Sequence, residues 1–278
     1  MSKPLWDFNY HCHTFRCGHA FGEDEEYVQV AVENGFKILG FSDHIILPGV
    51  HEPNMRGDYS MQEDYFASIR SLKERYKDRI EIHLGYEAEW LGREYAEHYR
   101  ELLDSGEIEY LILGNHCCYQ NGSLLYFPSI ADRDLMIRMY TSELIRGMES
   151  GLFLYVAHPD FAFRWRPEWD ELNEQCARAI IETAVRLDLP LEVNMGPARW
   201  WNLDDPDRWD HLPYPQLPFW KLAGELGATC IFGIDAHRPE QLIENDFGRF
   251  KEFAERCHLK MIDRLDLNYR KVGEKKKH

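Results

Sequence analysis

Short apolar runs and longer amphipathic stretches alternate along almost the whole chain. Seven runs are apolar enough to predict buried strands, at residues 7–10, 38–42, 80–86, 110–114, 153–157, 191–194 and 230–234. Apolar residues spaced three and four apart predict helices at residues 23–34, 61–76, 95–103, 133–149, 171–187, 217–226 and 242–257. This alternation predicts a parallel α/β fold in a single domain, and seven strands rather than eight predict an irregular β/α barrel.

The chain contains no Gly/Ser-rich linker that would divide it. We therefore predict one folded domain over residues 1–270, followed by a charged tail over residues 271–278. Residues 196–218 are rich in Pro, Trp and Asp, and the segment is too long for a plain connection between elements. We expect this segment to be an active-site loop.

Histidines and acids fall where the predicted strands end. In a β/α barrel the carboxyl ends of the strands meet on one face, where active sites are built. His11 and His13 lie two residues apart and therefore face the same way on an extended chain. Together the strand-end residues predict a multinuclear metal site, and they are His11, His13, His44, Glu87, His116, His158, Asp235 and His237.

Each of these motifs taken singly has an ordinary structural explanation, and two choices stay open. Asp43 precedes His44 and could orient it as a carboxylate neighbour. Either Glu87 or Glu89 could bridge two ions.

Nitrogen and oxygen donors without sulfur suit Zn²⁺, Mn²⁺ or Fe²⁺. Several such ions would lower the pKa of a bound water and stabilise an anionic transition state, which is the chemistry of phosphoester hydrolysis.

Composition narrows the partners. The formal net charge of -16 argues against a protein that wraps nucleic acid, which usually shows a basic face. The seven cysteines are odd in number, and the first residues lack the apolar region of a secretory signal, so we predict reduced thiols in a cytoplasmic protein. No apolar stretch approaches membrane-spanning length.

The order of these motifs resembles the polymerase-and-histidinol-phosphatase (PHP) superfamily. The motifs are His-x-His, a further His, Asp-His, Gly-x-Glu, Gly-Asn-His, Ala-His-Pro and Asp-x-His, from His11 to His237. Glu192-x-Asn194, Tyr214-Pro215 and the closing Gly-Ile-Asp-Ala-His-Arg-Pro are most similar to its monofunctional histidinol-phosphate phosphatases. The resemblance implies a distorted (β/α)7 TIM-like barrel, so that residues 1–270 would form a PHP-type metallophosphoesterase barrel.

The resemblance also implies three divalent ions. His11, His13, Glu87 and Asp235 would hold the first ion, and Glu87 would bridge to a second that His116 and His158 complete. The third would be held by His19, His44 and His237; the loop residue His19 enters through the resemblance only. As a hypothesis, a hydroxide bridging the first two ions attacks phosphorus, with Glu87, Asp235 and His237 as the catalytic residues.

The expected partner is a small phosphorylated substrate, L-histidinol phosphate of histidine biosynthesis. Arginines would neutralise its phosphate through paired hydrogen bonds. Arg199 is the first candidate, and Arg164 and Arg166 are the others. The neighbouring tryptophans, Trp200 and Trp201 among them, could stack on an imidazole or on a larger group.

Other functions stay open at this point. A PHP phosphoesterase of other or broad specificity could act on nucleotides, sugar phosphates or phosphodiesters. Amidohydrolase-type metal hydrolases also begin with His-x-His, but they typically have eight strands and a lysine where this chain has His116. A nuclease or proofreading domain is disfavoured by the acidic charge. A non-catalytic metal protein is also disfavoured, because a purely structural site would need only one closed ligand shell and not the larger set present here.

Overall fold

A computed structural model describes residues 7–196, 212, 214–243 and 247–268. The chain forms two compact units. The first unit comprises Met1–Ala88, Leu102–Ile112 and Gly233–Gly248, and the second comprises Glu89–Glu101, Leu113–Phe232 and Arg249–His278. The predicted tail at residues 271–278 lies outside the described residues.

The first unit is built on parallel strands with helices between them. Its elements, with the two that continue into the second unit, are β1 Phe8–Asn9, α1 Asp24–Glu33, β2 Ile38–His44, α2 Gln62–Tyr76, β3 Glu81–Ala88, α3 Arg93–Asp104 and β4 Tyr110–Leu113. The strands form one sheet in the order β1-β2-β3-β4, and β1 and β3 each pair with β2 in parallel. A parallel bridge between Cys12 and Ala236 places the Gly233–Gly248 segment beside the end of β1.

Two glycines let a tyrosine cross the inside of this sheet. A Cβ on Gly85 would lie 2.6 Å from both the ring and the carbonyl oxygen of Tyr110, and a Cβ on Gly40 would overlap the Tyr110 hydroxyl. That hydroxyl donates a hydrogen bond of 2.8 Å to the carbonyl oxygen of Tyr10. Tyr110, at the start of β4, therefore packs against β2 and β3 and is hydrogen-bonded to the residue that follows β1.

The second unit contains a hairpin, a short sheet and packed helices. Its elements are β5 Cys117–Gln120, β6 Ser123–Tyr126, α4 Arg133–Glu149, α5 Glu171–Leu187, β7 Leu191–Asn194, α6 Leu217–Glu225, β8 Thr229–Gly233, α7 Phe247–Arg256 and β9 Lys260–Met261. β5 and β6 pair antiparallel, and β7, β8 and β9 form a second sheet in that order. Val156 makes parallel bridges to both Leu113 and Leu191.

Most predicted elements are present, and there are four differences, one of which is the unpredicted short strand β9 at Lys260–Met261. The predicted strand 153–157 is reduced to a single bridge residue, Val156, which pairs with Leu113 on one side and Leu191 on the other. Residues 117–126, predicted as a connection, form the hairpin β5–β6. The last predicted helix begins at Phe247 instead of residue 242, because Pro239–Ile243 form a separate 3-10 turn.

The buried interior is apolar and aromatic, and Trp220 and several tyrosines lie fully inside it. No helix in the described part of the chain is both long and apolar enough to cross a membrane.

Candidate metal centre

The ends of four segments in the first unit carry most of the predicted ligands. His13 donates its backbone N–H to the carbonyl of Ala236 at 2.8 Å, and Ala236 donates to the carbonyl of His11 at 3.2 Å. This ladder sets the His-x-His segment beside the Asp-x-His segment. In the pairing of β2 with β3, His44 stands opposite Glu87. Backbone register therefore gathers these side chains.

The donor atoms converge on two carboxylates. Oε2 of Glu87 lies 3.5 Å from Nε2 of His11, 3.4 Å from Nε2 of His13 and 3.2 Å from Nδ1 of His44. Oδ1 of Asp235 lies 3.5 Å from Nε2 of His11 and 3.2 Å from Nε2 of His13. Glu87 is 1% exposed, so one buried carboxylate oxygen faces three imidazoles.

His19 and His237 complete the group in the first unit. The ring centroid of His237 lies 4.1 Å from that of His13 and 4.8 Å from that of His19, which in turn lies 5.2 Å from His44. His19 reaches this position from a loop that turns at Gly18, where φ is +82° and a side chain would be strained. Seven of the nine predicted ligands thus lie together in this unit, and their ligand roles remain proposals.

The cluster's charges are strongly coupled. Burial lowers the pKa of His13, but the nearby carboxylates of Asp235, Asp43 and Glu87 outweigh this and raise the pKa to about 9. Burial and the neighbouring His13 charge lower the pKa of His237 to about 3.

The backbone of Asp235 is left-handed, with φ of +52°, a strained conformation found more often at functional sites.

This donor set fits a divalent metal ion. Donor atoms of His13, His44 and His237 lie within 4.8 Å of one another, and so do those of His11, His13 and Glu87. Imidazole and carboxylate are the ligands of Zn²⁺, Mn²⁺ and Fe²⁺. A bound cation would replace the protons that these buried groups otherwise need, because metal and protons compete for the same atoms.

The second unit carries the other two predicted ligands, His116 and His158. Their ring centroids are 5.0 Å apart, and Nδ1 of His116 lies 3.3 Å from Oε1 of Glu89. His158 has φ of +33° and donates its backbone N–H to Oε2 of Glu192 at 3.1 Å. Tyr140 donates its hydroxyl to the carbonyl oxygen of His158. The structure thus gives this pair its own carboxylate and backbone supports.

The three predicted substrate arginines have different surroundings. Arg166 bonds Asp170 and Asn173, at 2.6 and 2.7 Å, and Asp134 at 2.9 Å, so it holds the N terminus of α5. Arg164 lies over the rings of Trp165 and Tyr214, at 4.8 and 5.9 Å. Arg199 lies outside the described residues. A substrate role for each of the three stays a prediction.

Sequence reasoning missed three contacts. Asp43, expected to orient His44, accepts the backbone N–H of His44 and also places Oδ1 3.4 Å from Nδ1 of His13, which was not predicted. Donor atoms of Cys17, which had no predicted role, lie within 4.8 Å of those of His13 and Asp43. Glu89 contacts His116 across 27 residues of sequence. The sequence carries no signal for the first contact, because the contact depends on how the loop containing Thr14 turns.

Comparison with known proteins yields one family. The sequence model of the PHP domain matches residues 9–196. A probable histidinol-phosphatase of Deinococcus radiodurans is 26% identical over 237 residues, which are 84% of this chain and 86% of that protein. A probable histidinol-phosphatase of Schizosaccharomyces pombe is 23% identical over 258 residues, 87% of this chain and 83% of that protein.

A solved structure shares the fold. The histidinol phosphate phosphatase of Lactococcus lactis, solved with zinc, L-histidinol and phosphate, superposes with a TM-score of 0.70 at 17% identity, covering 94% of this chain and 98% of that one. The predicted fold class, the distorted TIM-like barrel of the PHP phosphatases, is confirmed by this similarity and by the family match. Because the family model spans more than half of the sequence, the chain belongs to the PHP domain family.

Proposed function

We propose that this protein is a metal-dependent phosphomonoester hydrolase that removes phosphate from L-histidinol phosphate in histidine biosynthesis. The observation that carries the proposal is the convergence of buried imidazole and carboxylate donors on Glu87 and Asp235 in a PHP chain. The choice of substrate rests on the relatives named above as histidinol-phosphatases. More than four fifths of the length of each is matched.

The nine-residue ligand set and the count of three ions belong to this proposal. The ions would be Zn²⁺, Mn²⁺ or Fe²⁺, and the Lactococcus protein was solved with zinc. Bound divalent ions would activate a water and neutralise charge on the phosphate. Glu87 is favoured over Glu89 as the shared carboxylate, because one oxygen of Glu87 faces three imidazoles while Glu89 contacts His116.

The chain's own residues would hold the reacting groups in place. The ladder between His13 and Ala236 fixes the His-x-His and Asp-x-His segments on a rigid backbone, so the donors need little rearrangement. Burial excludes water from His11, His13 and Glu87, which would strengthen their electrostatic contacts with a bound cation. A cytoplasmic location, where thiols stay reduced, is part of the same proposal.

An aromatic segment beside His116 and His158 supports an alcohol that contains an imidazole. Phe161 lies 5.1 Å from the ring of His116 and 4.8 Å from that of Trp165. Arg164 lies over Trp165 and supplies a cation there. Flat aromatic surfaces favour stacking with an imidazole ring, and a guanidinium suits a phosphate.

The proposal is tested by phosphate release from L-histidinol phosphate, compared with sugar phosphates, mononucleotides and phosphodiesters under one metal condition. We expect a kcat/KM for histidinol phosphate above ~10⁴ M⁻¹s⁻¹, well clear of every other substrate. A better substrate elsewhere in the panel would keep the metal centre and replace the alcohol. Failure to hydrolyse any ester would contradict the proposal.

A further inference from the structure

A buried chain of polar side chains leads from helices α1 and α2 to the metal centre, entirely within the first unit. It begins at Arg16, which is only 6% exposed. Nη1 of Arg16 donates to both carboxylate oxygens of Asp24 in α1, each at 2.9 Å. Its Nη2 and Nε donate to Oδ2 of Asp64 in α2, at 2.6 and 2.9 Å. Both helices therefore fix the guanidinium.

The chain continues through Thr14 to Asp43. Nη1 of Arg16 donates to Oγ1 of Thr14 at 3.3 Å, and the Thr14 hydroxyl donates to Oδ2 of Asp43. Oδ1 of Asp43 accepts the backbone N–H of His44 at 2.8 Å. Each oxygen of the Asp43 carboxylate is thus held by a donor from the protein.

This restrained carboxylate faces one nitrogen of His13. Oδ1 of Asp43 lies 3.4 Å from Nδ1 of His13. The other ring nitrogen, Nε2, lies 3.2 Å from Asp235 and 3.4 Å from Glu87. Histidines that bind metals usually give their second nitrogen to a carboxylate or carbonyl, which fixes the tautomer and the direction of the ring. One ring nitrogen of His13 therefore faces a supporting carboxylate, and the other faces the metal centre.

We propose that Asp43, held by Thr14 and Arg16, is a positioning residue that fixes the ring of His13 so that Nε2 is presented to a divalent ion. The inference rests on the proposed metal function. It gives Asp43 a supporting role instead of a ligand role, because its two oxygens are already engaged by Thr14 and by the backbone of His44. It also explains why a charged arginine is buried here, since a pair of apolar side chains would satisfy packing without fixing a ring.

The test uses zinc affinity in the full-length, metal-free protein, measured by calorimetry with zinc alone. Thr14→Val keeps the shape of the side chain and removes its hydroxyl, whereas Thr14→Ser keeps the hydroxyl. We expect Thr14→Val to weaken zinc binding at one site by roughly 10-fold or more, the range typical of supporting residues, and Thr14→Ser to stay within about twofold of the unmodified chain. Thr141→Val, a buried threonine of α4, is the matched control and should leave zinc affinity unchanged.

The inference is overturned if Thr14→Val binds zinc as tightly as the unmodified chain, or if valine and serine weaken it equally. If Thr14→Val does not fold, Asp43→Asn replaces it, with the same tenfold criterion. Zinc affinity reports on positioning, and phosphate release from histidinol phosphate reports on the proposed function. A chain that shows the valine–serine difference without hydrolysing that ester would refute the function and keep the positioning role.

Discussion

At the scale of single residues, buried carboxylates decide how the imidazoles are arranged. One oxygen of Glu87 lies within 3.5 Å of nitrogen atoms of His11, His13 and His44. Oδ1 of Asp43 lies 3.4 Å from the ring nitrogen of His13 that faces away from Glu87. Positions at strand ends could be predicted from the sequence, because strand ends meet in this class of fold. The pairing of Asp43 with His13 could not, because it depends on how the loop containing Thr14 turns.

Removing the charge of Glu87 should disable the centre. Glu87→Gln keeps the size of the side chain but removes the charged oxygen that faces three imidazoles, so we expect kcat to fall by at least ~10²-fold and metal content to drop. Metal analysis and phosphate release measured on the same preparation check this. Near-normal turnover in Glu87→Gln together with an inactive Glu89→Gln would transfer the shared role to Glu89.

Glu109 gives the first unit a pH-dependent contribution to stability. Burial opposes its ionisation, but hydrogen bonds from His83 and Lys73 lower its pKa from 4.5 to about 2. Because this pKa is lower in the folded protein than in the unfolded chain, ionised Glu109 stabilises the fold at pH values above about 4.5. This stabilisation is lost as the pH falls from about 4.5 towards 2. Because the carboxylate is 31% exposed, we expect Glu109→Gln to cost only about 1–2 kcal/mol at pH 7.

Urea unfolding at pH 7 and pH 3 measures this difference. The difference in unfolding free energy between Glu109→Gln and the unmodified chain should be smaller at pH 3 than at pH 7. Glu63→Gln, at an exposed position of α2, should unfold with the same free energy as the unmodified chain at both pH values. A gap that is constant or wider at pH 3 would contradict the assignment.

At the scale of elements, register and close packing set the strand ends in place. Glycine at position 85 lets the ring of Tyr110 approach β3. Gly85→Ala should destabilise the fold by about 1–3 kcal/mol, because the new Cβ would meet backbone as well as ring atoms. Gly57→Ala is the milder comparison, since its Cβ would lie 3.2 Å from the tip of Ile46 and 3.3 Å from the carbonyl oxygen of Arg16. Equal unfolding free energies for the two variants would show that the interior adapts freely.

Apolar patterns predicted the elements better than their pairing. Residues 153–157 are apolar throughout, yet pairing is confined to Val156, which no periodicity could show. The hairpin β5–β6 had a readable signal in Asn121-Gly122, whose φ angles of +51° and +82° suit the two-residue turn that this dipeptide favours. The role of Arg166 could not be predicted from the sequence, because its three protein partners are brought together only in the folded structure.

At the scale of the whole molecule, all seven cysteines are buried. Burial is the main cause that raises the pKa of Cys230 and of Cys257, each to about 12, so their reactive thiolate forms are scarce at neutral pH. We expect iodoacetamide to react slowly with the folded protein and to leave phosphatase activity intact. Rapid inactivation accompanied by metal loss would show that a cysteine, with Cys17 the first candidate, belongs to the centre.

The formal net charge of -16 is unusual for a protein proposed to bind an anionic ester. Bound cations would reverse the sign locally, which is why the function depends on the metal centre rather than on the surface as a whole. The order of the motifs along the sequence predicted the family and the fold. The active-site loop predicted at residues 196–218 rests on composition and length alone, and most of it lies outside the described residues.

The central claim is that a divalent metal centre built around Glu87 hydrolyses L-histidinol phosphate. The most direct measurement is phosphate release by metal-free protein as Mn²⁺ or Zn²⁺ is added back, with Glu87→Gln treated in parallel. Activity should rise with bound metal to a kcat/KM above ~10⁴ M⁻¹s⁻¹ in the unmodified chain and stay near background in the variant. Equal activity without metal, or no hydrolysis at any metal loading, would contradict the account.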